Sequence, residues 1–188
     1  MALRRGFKTE AETIAAEIRS DLKVSLHSRL DPQLLAEHLD IQLWPLSQLN
    51  HSTSSVEGLA EAITYLTAAD TSVFSAVTVF SGTVRTIVHN DGQSLARQAS
   101  NISHEVAHGL LLHPPGPVLD QRGCRLWIAD AEDEANWLGG TLLIPGPAAR
   151  RAARNRRSLD QIADQFGCST EMARWRLNMT GARRLQTA

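Results

Sequence analysis

The chain has 188 residues, 43% of them hydrophobic, and a formal net charge of −1. This length suits one substantial core or a domain with a small appendage, and the apolar content excludes a disordered chain. No apolar run approaches the roughly 20 residues that cross a bilayer, and the N-terminus lacks the apolar stretch of a secretory signal. Two cysteines do not make a disulfide framework, so we expect a cytoplasmic protein without a membrane partner.

The charge is unevenly distributed along the chain. Residues 1–145 hold 10 Lys and Arg against 17 Asp and Glu, whereas residues 146–188 hold 9 Arg against 3 acids. We expect the chain to divide here into a domain of residues 1–145 and a basic appendage of residues 146–188. Such an appendage either contacts nucleic acid or an acidic partner, or it exposes a solvated helical face rich in arginine.

Most of the predicted elements are helices. The spacing of Thr9-Glu10-Ala11-Glu12 matches a capping box and predicts a first helix that starts at Thr9. The following helices are expected over about 32–38, 94–112, 131–143, 159–166 and 169–179.

The predicted strands are few and short. Residues 41–44 alternate weakly and stop at Pro45, which suits a short strand. Two β-rich runs, 75–80 and 83–88, are separated by Ser-Gly and predict a hairpin. The sequence therefore predicts an α+β protein that is mostly helical and has a small antiparallel sheet.

The stretch NISHEVAHGLLLH, residues 101–113, carries the clearest chemical motif. On a helix, residues four apart lie on one face about one turn apart, so His104 and His108 can direct two imidazoles at one metal ion. Glu105 lies about 100° round the helix from His104, where its carboxylate reaches a water molecule beside the metal. The motif therefore indicates a metal site with a general base.

An ordinary buried helix that carries two histidines is the alternative interpretation. Hydrogen bonds alone can satisfy buried neutral histidines. A glutamate between them and beside an apolar helical stripe is costly without a metal, however, and this favours the metal site.

A catalytic zinc ion normally takes three protein ligands and leaves one position for water. His113 lies five residues beyond His108 at the helix end, so we expect it to face elsewhere. The stretch EDEANWLGGTLLIP, residues 132–145, offers carboxylates instead. Some of these acids also suit the N-terminal end of a helix dipole.

Two glutamates of this stretch compete for the role of third ligand. Glu132 shares a helix face with the small residues Ala135 and Gly139, which permit close approach to the histidine helix. Glu134 lies about 200° round from Glu132 and cannot point at the same metal. Glu132 is favoured, and Glu134 is kept as the alternative.

The chain resembles the ImmA/IrrE family of bacterial zinc metallopeptidases over nearly its whole length. The segments RRGFKTEAE, VRTIVHN, RQASNISHEVAHGLLLH and EDEANWLGGTLLIP occur in the family's order. The resemblance implies a gluzincin-like metallopeptidase core over residues 1–145, with one zinc ion per chain on His104, His108 and Glu132. It implies Glu105 as the catalytic base. Glu134 is also common in the family pattern.

The resemblance further implies an endopeptidase that cleaves a helix-turn-helix transcriptional repressor in a bacterial stress, mobile-element or phage-defence operon. The alternative is a DNA-binding regulator with a structural or vestigial metal site. Glu105 discriminates between the two, because a purely structural zinc needs no base.

Two further features bear on regulation and substrate binding. The hairpin within residues 74–90 either offers an exposed edge to which an extended substrate adds by main-chain pairing, or only supports the core. Cys124 lies between Arg122 and Arg125, which would lower its thiol pKa. Its thiolate is a possible inhibitory fourth zinc ligand; otherwise Cys124 is a small half-buried residue.

Residues 159–177 resemble a helix-turn-helix in pattern, with Ile162 and Phe166 expected to pack on Ala173 and Leu177. A group of arginines precedes this pattern and is a possible contact for nucleic acid or a partner: Arg150, Arg151, Arg154, Arg156 and Arg157. DNA as an activating signal and a structural or docking role for the appendage both stay open.

Overall fold

The computed structural model describes residues 3–49, 63–66, 74–113 and 129–185. Within them the fold is α+β and mostly helical, as predicted. The helices are α1 (Phe7–Asp21), α2 (Pro32–His38), α3 (Leu95–Leu110), α4 (Ala129–Leu143), α5 (Gly146–Arg154), α6 (Leu159–Phe166) and α7 (Thr170–Met179). The strands are β1 (Ile41–Pro45), β2 (Ala76–Ser81) and β3 (Val84–His89). None of the described helices combines the length and the apolar character that a membrane span requires.

The first helix starts earlier than its capping-box spacing predicts. Gly6 has a φ of 84°, and its carbonyl accepts hydrogen bonds from the backbone N–H groups of Thr9 and Glu10. A left-handed backbone suits glycine, so the chain enters the helix two residues before Thr9. The earlier start buries Phe7 completely, and this burial outweighs a side-chain cap at Thr9.

The three strands form one mixed sheet in the order β1-β3-β2. The strands β2 and β3 pair antiparallel, with Thr78 opposite Ile87, which confirms the predicted hairpin. The strands β1 and β3 pair parallel, with Leu43 opposite Ile87, so the expectation of a purely antiparallel sheet is wrong. A parallel pair needs a long crossover, and the chain between β1 and β2 supplies it.

The buried side chains form two clusters that meet at α4. The first cluster joins α1, α2, the sheet and α3 to α4, and includes Phe7, Leu35, Ile87, Val106 and Leu138. The second cluster joins the last residues of α4 to α5, α6 and α7, and it includes the predicted tail contacts Ile162, Phe166, Ala173 and Leu177. Because Leu142 of α4 belongs to the first cluster and Leu143 to the second, this helix connects the two clusters.

The helix α5, which the sequence analysis missed, carries three of the nine arginines of the basic appendage. Its alanines at 148, 149, 152 and 153 are buried, while Arg150, Arg151 and Arg154 are exposed. Small residues on the inner face let the helix lie close to the second cluster, and this pattern lacks the large apolar side chains that usually reveal a helix.

Candidate metal centre

The helix α3 has a buried face and a partly exposed face, and the two histidines of the motif lie on the partly exposed one. Ile102 and Val106 are buried on the core face, whereas His104 and His108 lie one turn apart and are partly exposed. Ser94 caps the helix by accepting a hydrogen bond from the backbone N–H of Arg97. The predicted helix is therefore confirmed, and it aligns the two imidazoles along one face.

Close contact between α3 and α4 depends on Gly139. A Cβ atom at this position would lie 3.0 Å from the backbone oxygen of Ser103 and 3.1 Å from the backbone nitrogen of His104. These neighbours are helix backbone and have little freedom to move. A glycine at 139 thus allows α4 to approach α3 next to the first histidine, as the small residues predicted.

The approach of the helices brings the carboxylate of Glu132 to both imidazoles. Its Oε2 lies 3.1 Å from Nε2 of His104 and 3.6 Å from Nε2 of His108, and the two Nε2 atoms are 3.0 Å apart. Burial raises the pKa of Glu132, but its hydrogen bonds with the two histidines outweigh this and hold the pKa well below its usual range. Glu132 is therefore an ionised carboxylate that faces two ring nitrogens.

These donor atoms fit one zinc ion. Tetrahedral ligands at about 2.0–2.1 Å from zinc lie roughly 3.3 Å from one another, and the observed separations of 3.0, 3.1 and 3.6 Å bracket that spacing. Two imidazole nitrogens and one carboxylate oxygen are donors that suit zinc. Among the described residues, His104, His108 and Glu132 form a group that could hold a metal ion.

Glu105 lies beside this group and contacts the sheet. The side chain is only 5% exposed, and its Oε2 accepts a hydrogen bond of 2.6 Å from the hydroxyl of Thr78 on β2. The hydrogen bond from Thr78 restrains this carboxylate, and Glu105 is not among the three residues that could hold the metal ion. The sequence indicated Glu105 but not Thr78, because its partner comes from a strand 27 residues earlier.

Glu134 and His113 occupy positions that the sequence analysis did not anticipate. Glu134 turns away from His104 and pairs with Arg4, whose Nε lies 3.0 Å from Glu134 Oε1. His113 is not one of the three residues of the metal group, in line with the expectation that it does not point at the metal, but its Nδ1 lies 3.0 Å from Nδ1 of His108. A left-handed turn at Leu112, with a φ of 53°, brings the chain back after α3.

The remaining predicted site residues are Cys124 and the arginines of the appendage. Cys124 lies outside the described residues. The five arginines that were predicted as contacts are all exposed: Arg150, Arg151, Arg154, Arg156 and Arg157. The chain from α6 to α7 turns within three residues, with Gly167 in the left-handed region. The helix-turn-helix assignment stays a prediction.

The fold and the metal group define a class of protein. A mostly helical α+β core in which a His-Glu-x-x-His helix meets a glutamate from the next helix is the arrangement of a metallopeptidase. The model of the M78 peptidase family, the IrrE N-terminal-like domain, matches residues 62–178, and the chain belongs to this family. The resemblance to ImmA/IrrE proteins is thereby confirmed, and the peptidase is of that type. The curated proteins include no match to the chain.

The family match also bears on domain organisation. It runs across the proposed boundary between residues 145 and 146. Arg176 on α7 donates a hydrogen bond of 2.9 Å to the carbonyl of Ile144, just before that boundary. The division into residues 1–145 and 146–188 stays a prediction.

Proposed function

We propose that this protein is a zinc-dependent endopeptidase that cleaves a regulatory protein, a helix-turn-helix transcriptional repressor, in a bacterial stress, mobile-element or phage-defence operon. The proposed peptidase activity rests on the convergence of His104, His108 and Glu132. Glu105 is next to His104 in the chain. The repressor as substrate comes from the family resemblance. The cytoplasm is the compartment we propose, where thiols such as the free, buried Cys168 remain reduced.

In the proposed mechanism, His104, His108 and Glu132 hold the zinc ion. When bound, zinc supplies Lewis acidity to the scissile carbonyl and lowers the pKa of a water molecule. Glu105 accepts a proton from the attacking water and later donates it to the leaving amine. Thr78 donates a hydrogen bond of 2.6 Å to Oε2 of Glu105, which helps to orient the carboxylate for proton transfer.

The hairpin is the proposed binding element for an extended substrate. Among the described residues β2 pairs only with β3, and we propose that its other edge takes up a strand of the substrate. Because Thr78 on β2 contacts Glu105, a peptide paired along that edge lies next to the base. This placement is consistent with both roles considered for the hairpin, which are binding of the substrate and support of the core.

A groove between the core and the appendage supports a structural or docking role for the appendage, which is the alternative to DNA binding. It has a volume of about 340 Å³, and its lining includes Asn101, Asn136, Met172 and Trp175. Asn101 and Asn136 lie one helical turn from His104 and Glu132, respectively. We propose that this groove accepts a side chain of the substrate, so Met172→Gln is expected to lower kcat/KM without changing zinc content.

The decisive experiment combines metal analysis with proteolysis. Purified wild type and Glu105→Gln are assayed for bound zinc and for cleavage of a repressor encoded beside the protein, with Glu37→Gln as the surface control. We expect Glu105→Gln to keep its zinc and to cleave slower by roughly 10²–10⁴-fold, the range of general acid–base catalysis. Equal cleavage by both proteins would refute the peptidase and favour the regulator with a structural metal site.

The appendage is tested by a DNA titration at two salt concentrations. The five exposed arginines are proposed as a contact for DNA that serves as an activating signal, with binding that weakens steeply as salt rises. Fluorescence titrations compare wild type with Arg150→Gln/Arg151→Gln/Arg154→Gln. Lack of binding to single-stranded and duplex DNA at low salt removes the DNA role and leaves docking of the protein partner.

The inhibitory role of Cys124 is tested by Cys124→Ser. If its thiolate is the fourth zinc ligand, the variant should show higher basal proteolysis and a changed zinc coordination shell by X-ray absorption. Unchanged basal proteolysis together with an unchanged coordination shell would sink this latency hypothesis.

A further inference from the structure

We propose that His113, Glu134 and Arg4 form a chain of polar contacts that fixes the orientation of His108, which makes them positioning residues of the metal centre. The inference rests on the proposed function in one respect, that His108 is a metal ligand. It gives roles to His113 and Glu134, which are not members of the metal group.

The contacts run in sequence from the metal group to the N-terminal segment. Nδ1 of His108 lies 3.0 Å from Nδ1 of His113, and Nε2 of His113 lies 3.5 Å from Oε2 of Glu134. The other carboxylate oxygen of Glu134 lies 3.0 Å from Nε of Arg4. Arg4 is held in turn by both carboxylate oxygens of Glu10, at 2.6 and 2.7 Å.

The donors and acceptors of this chain are consistent with a metal at His108. A ring nitrogen that binds a metal must present its lone pair, so Nε2 of His108 carries no hydrogen and Nδ1 carries one. Nδ1 of His113 must then accept, which places the hydrogen of His113 on Nε2. That atom faces the carboxylate of Glu134, and the guanidinium of Arg4 donates to the other oxygen.

The backbone after α3 is built to hold His113 in this position. The backbone N–H of His113 donates a hydrogen bond of 3.0 Å to the carbonyl of His108, and Leu112 between them has a φ of 53°. A left-handed backbone is unfavourable for leucine, and Leu112 is 83% exposed, so packing of its side chain does not explain the turn. The turn instead presses the imidazole of His113 against that of His108.

Such a chain has a physical function at a metal site. A ligating histidine usually donates its second ring N–H to a carboxylate, a carbonyl or water, and that bond fixes the ring and raises its basicity. His108 reaches a carboxylate through the intermediate imidazole of His113. The chain also couples the metal centre to the start of α1, because Arg4 precedes that helix by three residues.

The test measures zinc affinity by competition with a chelating dye and does not require peptidase activity. We expect His113→Phe to bind zinc roughly 10–100-fold more weakly, the usual cost of removing such a partner. His113→Gln should recover most of the affinity, because its amide oxygen can accept from His108. Glu134→Ala should lose less than His113→Phe, and His38→Phe is the control at a histidine outside the chain.

The double variant His113→Phe/Glu134→Ala separates a chain from two independent effects. If Glu134 acts through His113, the double variant binds zinc no more weakly than His113→Phe alone. Thermal unfolding of each metal-free variant identifies a general loss of structure. If Glu134→Ala lowers zinc affinity by the same factor in wild type and in His113→Phe, the two residues act independently and the proposed chain is overturned. A His113→Phe variant with wild-type zinc affinity would overturn it as well. Wild type that binds no zinc would instead overturn the proposed function itself.

Discussion

At its N-terminal end, α4 turns the carboxylate of Glu132 toward two imidazoles, whereas at its C-terminal end two backbone carbonyls accept hydrogen bonds from a buried arginine. Arg19 on α1 donates to the carbonyls of Leu142 and Leu143 at 2.8 and 3.0 Å, and to those of Ser25 and Ser28 at 2.8 and 2.9 Å. Burial lowers the pKa of Arg19 to about 10, so its guanidinium is still charged at neutral pH.

The two ends show how a structural charge differs from a functional one. The last carbonyls of a helix lack partners within the helix and carry the negative end of its dipole, so a guanidinium satisfies both needs there. At the other end the ring nitrogens and the carboxylate oxygen face one another, which suits a shared metal ion. The contacts at the C-terminal end therefore contribute stability, and the N-terminal end is the site proposed for the chemistry.

Removal of zinc is expected to have the largest effect and to separate the two ends most clearly. A chelator should abolish cleavage, and added zinc should restore it, because the proposed reaction depends on the metal. The helical circular dichroism should change little, since both hydrophobic clusters are built without the metal group. Loss of helical signal on chelation would show that the metal end also holds the fold together.

Loss of the arginine at the other end is expected to affect stability alone. Arg19→Met leaves several buried carbonyls without a donor, which should lower the free energy of unfolding by about 3–5 kcal/mol. Urea denaturation measures this change, and the exposed Arg154→Met is the control. Zinc affinity should stay at the wild-type value. A loss below about 1 kcal/mol would mean that water replaces the guanidinium.

A methyl group at Gly139 is expected to act mainly on the metal end. In Gly139→Ala the new Cβ forces α3 and α4 apart beside His104, and zinc affinity should fall by roughly tenfold. The free energy of unfolding should change little, because the higher helix propensity of alanine, about 1 kcal/mol over glycine, offsets the cost of packing the methyl group. Calorimetry of zinc binding and urea denaturation measure the two quantities. Unchanged zinc affinity would contradict the idea that the metal group depends on the close approach of α3 and α4.

The smallest effect is expected at the buried thiol of the second cluster. Burial raises the pKa of Cys168 to about 12, so at pH 8 only about one thiol in 10⁴ is a reactive thiolate. Iodoacetamide should therefore leave Cys168 unmodified in the folded protein at pH 8. Peptide mass spectrometry measures the modification, and rapid labelling at pH 8 would show that the cluster opens.

Local patterns in the sequence determined much of the candidate site. The spacing of His104, Glu105 and His108 follows from helix geometry alone, and so does the preference for Glu132 over Glu134. The positions of the hairpin and of every predicted helix, though not that of α5, likewise follow approximately from periodicity and from turn residues, which act over a few residues. The family resemblance rests on the same segments.

The tertiary structure decided which distant groups meet. The pairing of Thr78 with Glu105, the return of His113 to His108 and the burial of Arg19 at the end of α4 each join residues through a packed fold. The parallel pairing of β1 and β3 depends in the same way on a long crossover. Sequence patterns report local periodicity, whereas these contacts depend on how helices and strands pack, and packing is set by the whole set of buried side chains.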